Sequence, residues 1–268
     1  MKIAAAYHHT EPGNISLNLR KTLDLLSQLE HERTDFVLFP ELNLSGYLTS
    51  EKEIKEILKR KEEVFSPLKE FSRHSKTAFA CGFPEERGGN FYITHFIFEK
   101  GEITGIHRKT HLGPNEKDVF CEGDKLPVFK VNKLTIGMQL CFETHFPEIS
   151  YAQARQGANL LSLGFASPNE SSTEKKERFK RFLCARAYDN ACYVLACNLS
   201  GLTSRGAMLP GVALIIDPKG KVLAEETKHG NGYCIASYEK KRIDQIYQSK
   251  MAWFNRFKRN DILRQFYE

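Results

Sequence analysis

The chain has 268 residues, 41% hydrophobic and 11% aromatic, which excludes whole-chain disorder and suits one large domain or two small ones. Charged residues make up 27% and leave a net charge of +6, but basic residues mostly alternate with acidic ones, as over 51–63, so no nucleic-acid face is marked. The apolar run after Met1-Lys2 is too short for a secretory core or a bilayer span, and seven scattered cysteines without a C-x-x-C pair point to reduced thiols in the cytoplasm, not to a zinc ribbon or a dithiol redox site.

Residues 2–7 read as a buried strand. Asn14 is placed to cap a helix over 15–30, where Ile15, Leu19, Leu23, Leu26 and Leu29 recur at helical spacing. The apolar run 36–39 is stopped by Pro40. The stretch 51–75 is strongly helical, with a break expected near Ser66-Pro67 because proline ends or kinks a helix. A strand at 78–83 precedes 91–98, where aromatic and polar residues alternate, and Lys100-Gly101 turns that segment into 102–108 as a hairpin. Then come a strand at 134–141, a helix at 147–156, a strand at 159–163, a helix at 174–190 and a strand at 192–197. Segments 212–216 and 222–224 flank Asp217-Pro218-Lys219-Gly220, a tight turn, and 232–238 is the last strand before a basic, aromatic tail. Such alternation with inserted hairpins predicts an α/β fold of two mixed sheets packed together, with helices on the outer faces. With no internal repeat, low-complexity stretch or linker, 1–268 is expected to be a single domain.

Three local strings carry polar groups at the ends of predicted strands, where loops are free of packing duties. In the first, Phe39-Pro40-Glu41 puts a carboxylate directly after a buried strand; apolar neighbours would raise its pKa toward that of a useful base, although alone it equally suits a solvated loop. In the second, Lys109 can aim a fixed charge at an oxyanion, or belong to a surface basic cluster with Arg108. His107 and His111 are four apart, but on strand and loop and without a third ligand, so no metal is expected. In the third, an apolar strand runs into Cys141 just before a helix, a layout that can expose a nucleophile at a sharp turn, though a lone cysteine there also suits the core.

Together the strings FPELNLSGY, HRKTHLGPNE and LCFETHFPE resemble, in order, the three signature regions of the nitrilase superfamily of carbon–nitrogen hydrolases. ARAYDNACYVLACN and GVALIIDPKGKVLAE resemble the family's late helix, strand and hairpin, so the likeness spans about 2–238. Asp189 and Ala213 depart from the glutamate and serine common there. The resemblance implies a four-layer α-β-β-α sandwich, a catalytic Glu41–Lys109–Cys141 set with Glu116 positioning substrate or water, no cofactor, and a homodimer or higher oligomer with the tail 250–268 as an arm. Tyr47, Phe142, His145 and Phe165 follow the motif strands and are candidates for binding substrate.

The function this implies is thioester-mediated cleavage of a small carboxamide or N-carbamoyl compound with release of ammonia. Phe142 follows the nucleophile where the family's true nitrilases commonly carry tryptophan, which favours the amidase branch. The rival readings are a nitrilase, an N-acyltransferase using the same thioester, and a silent binding protein of the same fold. Trp253, Phe254 and Phe257 interleave with Arg256, Lys258 and Arg259 in the tail, but such a segment equally suits an oligomer interface, so neither nucleic acid nor membrane is expected as a partner.

Overall fold

The apolar run that opens the chain becomes strand β1 (Lys2–Tyr7), and it is an inner strand because its residues are buried on both faces. The structure, a computed structural model, describes residues 1–266; the last two positions of the expected arm lie outside the described residues. Beside β1 run β3 (Phe36–Leu38), β4 (Ala78–Arg87), β5 (Asn90–Glu99) and β6 (Glu102–Arg108), with β15 (Gly232–Ser237) on the other side, in the order β15-β1-β3-β4-β5-β6. The second sheet contains β7 (Val128–Val131), β8 (Leu134–Leu140), β9 (Leu160–Phe165), β10 (Tyr193–Asn198), β13 (Val212–Ile216) and β14 (Val222–Glu226), in the order β14-β13-β10-β9-β8-β7. A small ribbon joins β2 (His9–Thr10), β11 (Ser200–Leu202) and β12 (Met208–Leu209).

Period-two alternation divides each buried strand between two layers. Ala5, Phe36, Leu38, Ala80 and Ile97 of the first sheet meet Ile136, Met138, Leu160, Leu195 and Ile215 of the second. The opposite faces take helices. Val37, Phe79 and Phe98 pack with Leu26 and Leu29 of α1 (Ile15–His31), Ile54 of α2 (Glu51–Leu58), and Phe65 and Leu68 of α3 (Lys61–His74). Leu161, Leu163, Val194 and Leu214 pack against Phe179, Leu183 and Ala187 of α5 (Ser172–Asn190), beside which lies α4 (Pro147–Arg155). This is the expected four-layer α-β-β-α sandwich. Full burial of one such aliphatic or aromatic side chain contributes roughly 1.5–3 kcal/mol, so the three apolar layers dominate the folding energy.

The helical stretch after Ser50 does not break at Pro67. It breaks at Lys59-Arg60, between α2 and α3, and Pro67 lies inside α3. The proline removes one N–H, but Val64, Phe65 and Leu68 are buried around it, and that packing outweighs one lost hydrogen bond. The last strand is followed by α6 (Lys240–Gln248), which buries Ile243 and Ile246. The tail then folds back on its own chain: Asn255 bonds Asn190 at 2.9 Å, Asn260 bonds Tyr151 at 3.0 Å, and the Phe254 ring packs on Tyr188. Met251, Phe254, Phe257, Ile262 and Phe266 remain exposed along it.

Candidate active site

Glu41 hangs from a loop that enters the seam between the sheets just after β3. The loop fits only because two neighbours are glycine: a Cβ on Gly82 would stand 2.2 Å from the Leu42 nitrogen, and one on Gly164 3.0 Å from the Glu41 nitrogen. Phe39 N–H donates to Ala80 O, and Gly82 N–H donates to the Asn43 side chain, each at 2.9 Å. Burial lowers the His95 pKa to about 3, so the ring is neutral and its Nε2–H donates to Pro40 O at 3.1 Å. Leu42 completes the turn in the left-handed region, with φ of 56°.

Lys109 follows β6, its N–H donating to Ile93 O at 2.9 Å and its carbonyl accepting from Gly123 N–H at 2.7 Å. Its ammonium is 1% exposed and stands 2.8 Å from Glu41 Oε1 and 2.8 Å from Glu116 Oε1. Both Glu116 oxygens are engaged, since Tyr47 Oη donates to Oε1 at 2.9 Å and Gly113 N–H to Oε2 at 2.7 Å. Glu41 differs. Its Oε2 is buried and has no hydrogen-bond partner among the described residues.

Cys141 caps β8 at the start of a short 3-10 turn, Cys141–His145, with φ of 38°. A non-glycine residue in that region is strained, and such strain clusters at functional turns. The Ala166 backbone N–H, beyond β9, lies on the sulfur's side and favours its thiolate form. The buried Lys175 holds the loop after Ala166, donating to Ser167 Oγ at 2.9 Å and Pro168 O at 2.8 Å and pairing with Glu170 at 2.8 Å.

The charges around the sulfur oppose one another. Burial pushes Glu41 up to about 7; Lys109 pulls it down and Glu116 pushes it further up. Burial and then Glu41 push the Cys141 thiol up to about 12, against Lys109 and the Ala166 N–H. Burial alone would lower Lys109, but its two carboxylate neighbours outweigh it and hold the ammonium charged. The resting arrangement is therefore a protonated thiol, a fixed cation and a carboxylate poised near neutrality.

The structure thus brings Glu41, Lys109 and Glu116 together, with Cys141 close enough to feel all three charges. Tyr47 joins them through Glu116. Phe142 is 36% exposed, edge-on to Phe146 and packed on His145. His145 is exposed, its ring packed on Phe182, and its pKa is lowered by partial desolvation and by Arg178 and Arg186. Phe165 keeps only 1% exposure and stacks on Phe179 at 4.2 Å, so it backs the layer on which Cys141 packs and leaves no open face. His95, Asn43, Ala166 and Glu143 are the contributors that sequence reasoning missed. Glu143 and Asn43 left a trace, as polar residues inside the strings LCFETHFPE and FPELNLSGY; His95 and Ala166 left none. His107 and His111 hold no metal cluster among the described residues; His107 pairs instead with Glu143. Clefts also lie away from this site, one of about 550 Å³ beside Lys21 and Tyr233 and one of about 480 Å³ under the tail beside Tyr151 and Asp189.

A nitrilase-type sandwich with this constellation at its seam defines a hydrolase of the amidase type. More particularly, the chain belongs to the carbon–nitrogen hydrolase family, whose model matches residues 2–248. It is 27% identical to an (R)-stereoselective amidase from Pseudomonas sp., over 84% of this chain and 80% of that protein. It is 29% identical to the 2-oxoglutaramate amidase of Bacillus subtilis (strain 168), over 80% of this chain and 81% of the relative. Among solved structures, a variant of the amidase from Nesterenkonia sp. AN1, with the acetamide moiety of fluoroacetamide added at its active site cysteine, superposes with a TM-score of 0.85 at 22% identity, covering 99% of this chain and 96% of the other.

Proposed function

We propose that the chain hydrolyses a small carboxamide or N-carbamoyl compound, with Cys141 as nucleophile and Glu41 as the shuttling base. The observation that carries this reading is the free Oε2 of Glu41, a buried carboxylate oxygen whose twin is tied to Lys109. The Cys141 proton passes to that oxygen as sulfur bonds to the amide carbon, and the carbonyl π pair moves onto oxygen. Lys109 and, on the family picture, the Phe142 backbone N–H meet the oxyanion. The tetrahedral species collapses, the C–N bond breaks, and nitrogen leaves as ammonia with the proton from Glu41. Water then gives a proton to Glu41 and attacks the thioester; collapse releases the acid and returns sulfur its proton. The sum is amide plus water to acid plus ammonia.

The same oxygen favours amides over nitriles. An amide offers N–H donors to a buried acceptor, whereas a nitrile offers none and would leave it unpaired, at a cost of about 1–3 kcal/mol. An ammonia-release screen over aliphatic amides, ω-amides and N-carbamoyl compounds tests the reading, with matched nitriles alongside. The expected result is turnover of at least one amide, faster than its nitrile, abolished in a folded Cys141→Ala variant. Turnover surviving that substitution would refute the mechanism, and a faster nitrile would refute the substrate class.

A further inference from the structure

The chemistry above leaves one buried charge unused. Glu143 is fully buried two residues past the nucleophile, and its two oxygens collect four donors. Oε1 accepts from Thr110 N–H at 2.7 Å and from Thr110 Oγ1 at 2.6 Å. Oε2 accepts from Leu140 N–H at 2.5 Å and from His107 Nε2 at 2.9 Å. Burial pushes this carboxyl up, but the His107 ring and the Thr110 donors outweigh it and hold it below its ordinary range, so it is ionised.

What those donors belong to matters more than their number. Thr110 directly follows Lys109, and His107 precedes it by two on β6 in the first sheet. Leu140 directly precedes Cys141 on β8 in the second. We propose that Glu143 is a positioning residue that sets the distance between the Lys109 ammonium and the Cys141 sulfur by bonding across the seam to the neighbours of both. The inference rests on the roles proposed for Lys109 and Cys141.

Stability alone accounts poorly for such a group, because buried ionic groups are often no more stabilising than well-packed apolar ones of the same volume. Placement accounts for it. Two backbone N–H groups, one just past β6 of the first sheet and one at the end of β8 of the second, meet on one rigid carboxylate, which fixes the sheets' register where a displacement of about 1 Å can cost on the order of 10²-fold in rate. A glutamine cannot substitute, since its amide nitrogen would face an N–H donor whichever way it turned.

The test uses Glu143→Gln and the milder Thr110→Val, which removes one hydroxyl donor and keeps the backbone one. The pH dependence of Cys141 alkylation by iodoacetamide is followed by the mass of its peptide, with kcat and KM for an accepted amide measured in parallel. The charges facing the sulfur are Glu41 from the loop after β3, Lys109 and Glu116 from the segment after β6, and Lys175 from α5; neither variant alters them. Glu143→Gln also removes a negative charge that raises Glu41, a loss that alone would move the profile to lower pH. A shift to higher pH therefore reports displacement, and a shift to lower pH overturns the proposal. Glu143→Gln is expected to move the alkylation profile to higher pH, as Lys109 loses its hold on the thiolate, and to lower kcat by at least about tenfold with KM within about threefold. Thr110→Val is expected to shift it less, in the same direction. Profiles that superimpose on the parent's in both folded variants overturn the proposal; should Glu143→Gln not fold, an unshifted Thr110→Val profile does so alone. A parent enzyme that releases no ammonia from any amide defeats the amidase reading, while the alkylation comparison still decides this one.

Discussion

Glu41 is a carboxylate held where its charge is disfavoured, and both its usefulness and its cost follow from that. Its pKa of about 7 lies above the ordinary carboxylate range, so the folded chain binds this proton more tightly than the unfolded one. The associated stability is fully present below the ordinary range and is lost as pH rises through about 7. Catalysis needs the opposite state. The kcat/KM is expected to climb roughly tenfold per pH unit below about 7 and level above it, with Lys109 still charged on the plateau; a profile flat from pH 5 to 8 would exclude Glu41 as the base. Glu41→Gln is expected to be inactive yet to melt about 2–4 °C higher at pH 8, measured by thermal unfolding. The grouping of Glu41, Lys109, Glu116 and Cys141 was legible because each sits in a local string whose order carries information. The bonds of Glu143 and His95 were not, since their partners His107 and Pro40 lie 36 and 55 residues away and no short pattern announces so distant a bond.

At the scale of elements, the runs buried on both faces were readable from composition, and 212–216 matches β13 end to end. The short β7 and the two-residue strands escaped because they bury too little to show a period. The misplaced helix break shows propensity overruled by packing: Pro67 remains helical because its neighbours on α3 are covered. Glycine content gave no hint of Gly82 and Gly164, whose role is to leave room for the Glu41 loop. Gly82→Ala would press a methyl into the Leu42 backbone, which cannot move aside as a flexible side chain would. It is expected to destabilise the fold by at least about 1–3 kcal/mol in urea unfolding, as overpacking does, and to cost proportionately more in kcat than Ala on the open, solvent-side Gly157. Equal activity in the two variants would show that the Glu41 loop does not need the slot.

The two sheets share one plan. Each has three parallel inner strands, β1, β3 and β4 in one and β8, β9 and β10 in the other, with an antiparallel edge strand on one side and an antiparallel pair on the other. The sequence shows no repeat, because strand direction is set by connections and leaves no mark on side-chain types. The layering was legible; which strand joins which sheet was not, since a run buried on both faces suits either. The site is assembled from both halves, with the proposed base Glu41 and the Lys109 cation suspended from one slab and the Cys141 sulfur from the other. The enzyme is consequently its own strain gauge. A sliding of the slabs too small to melt a helix would already separate the reacting groups, so in a urea titration turnover is expected to fade before the far-ultraviolet circular dichroism changes. Coincident curves would mean that the halves part only when the whole molecule does.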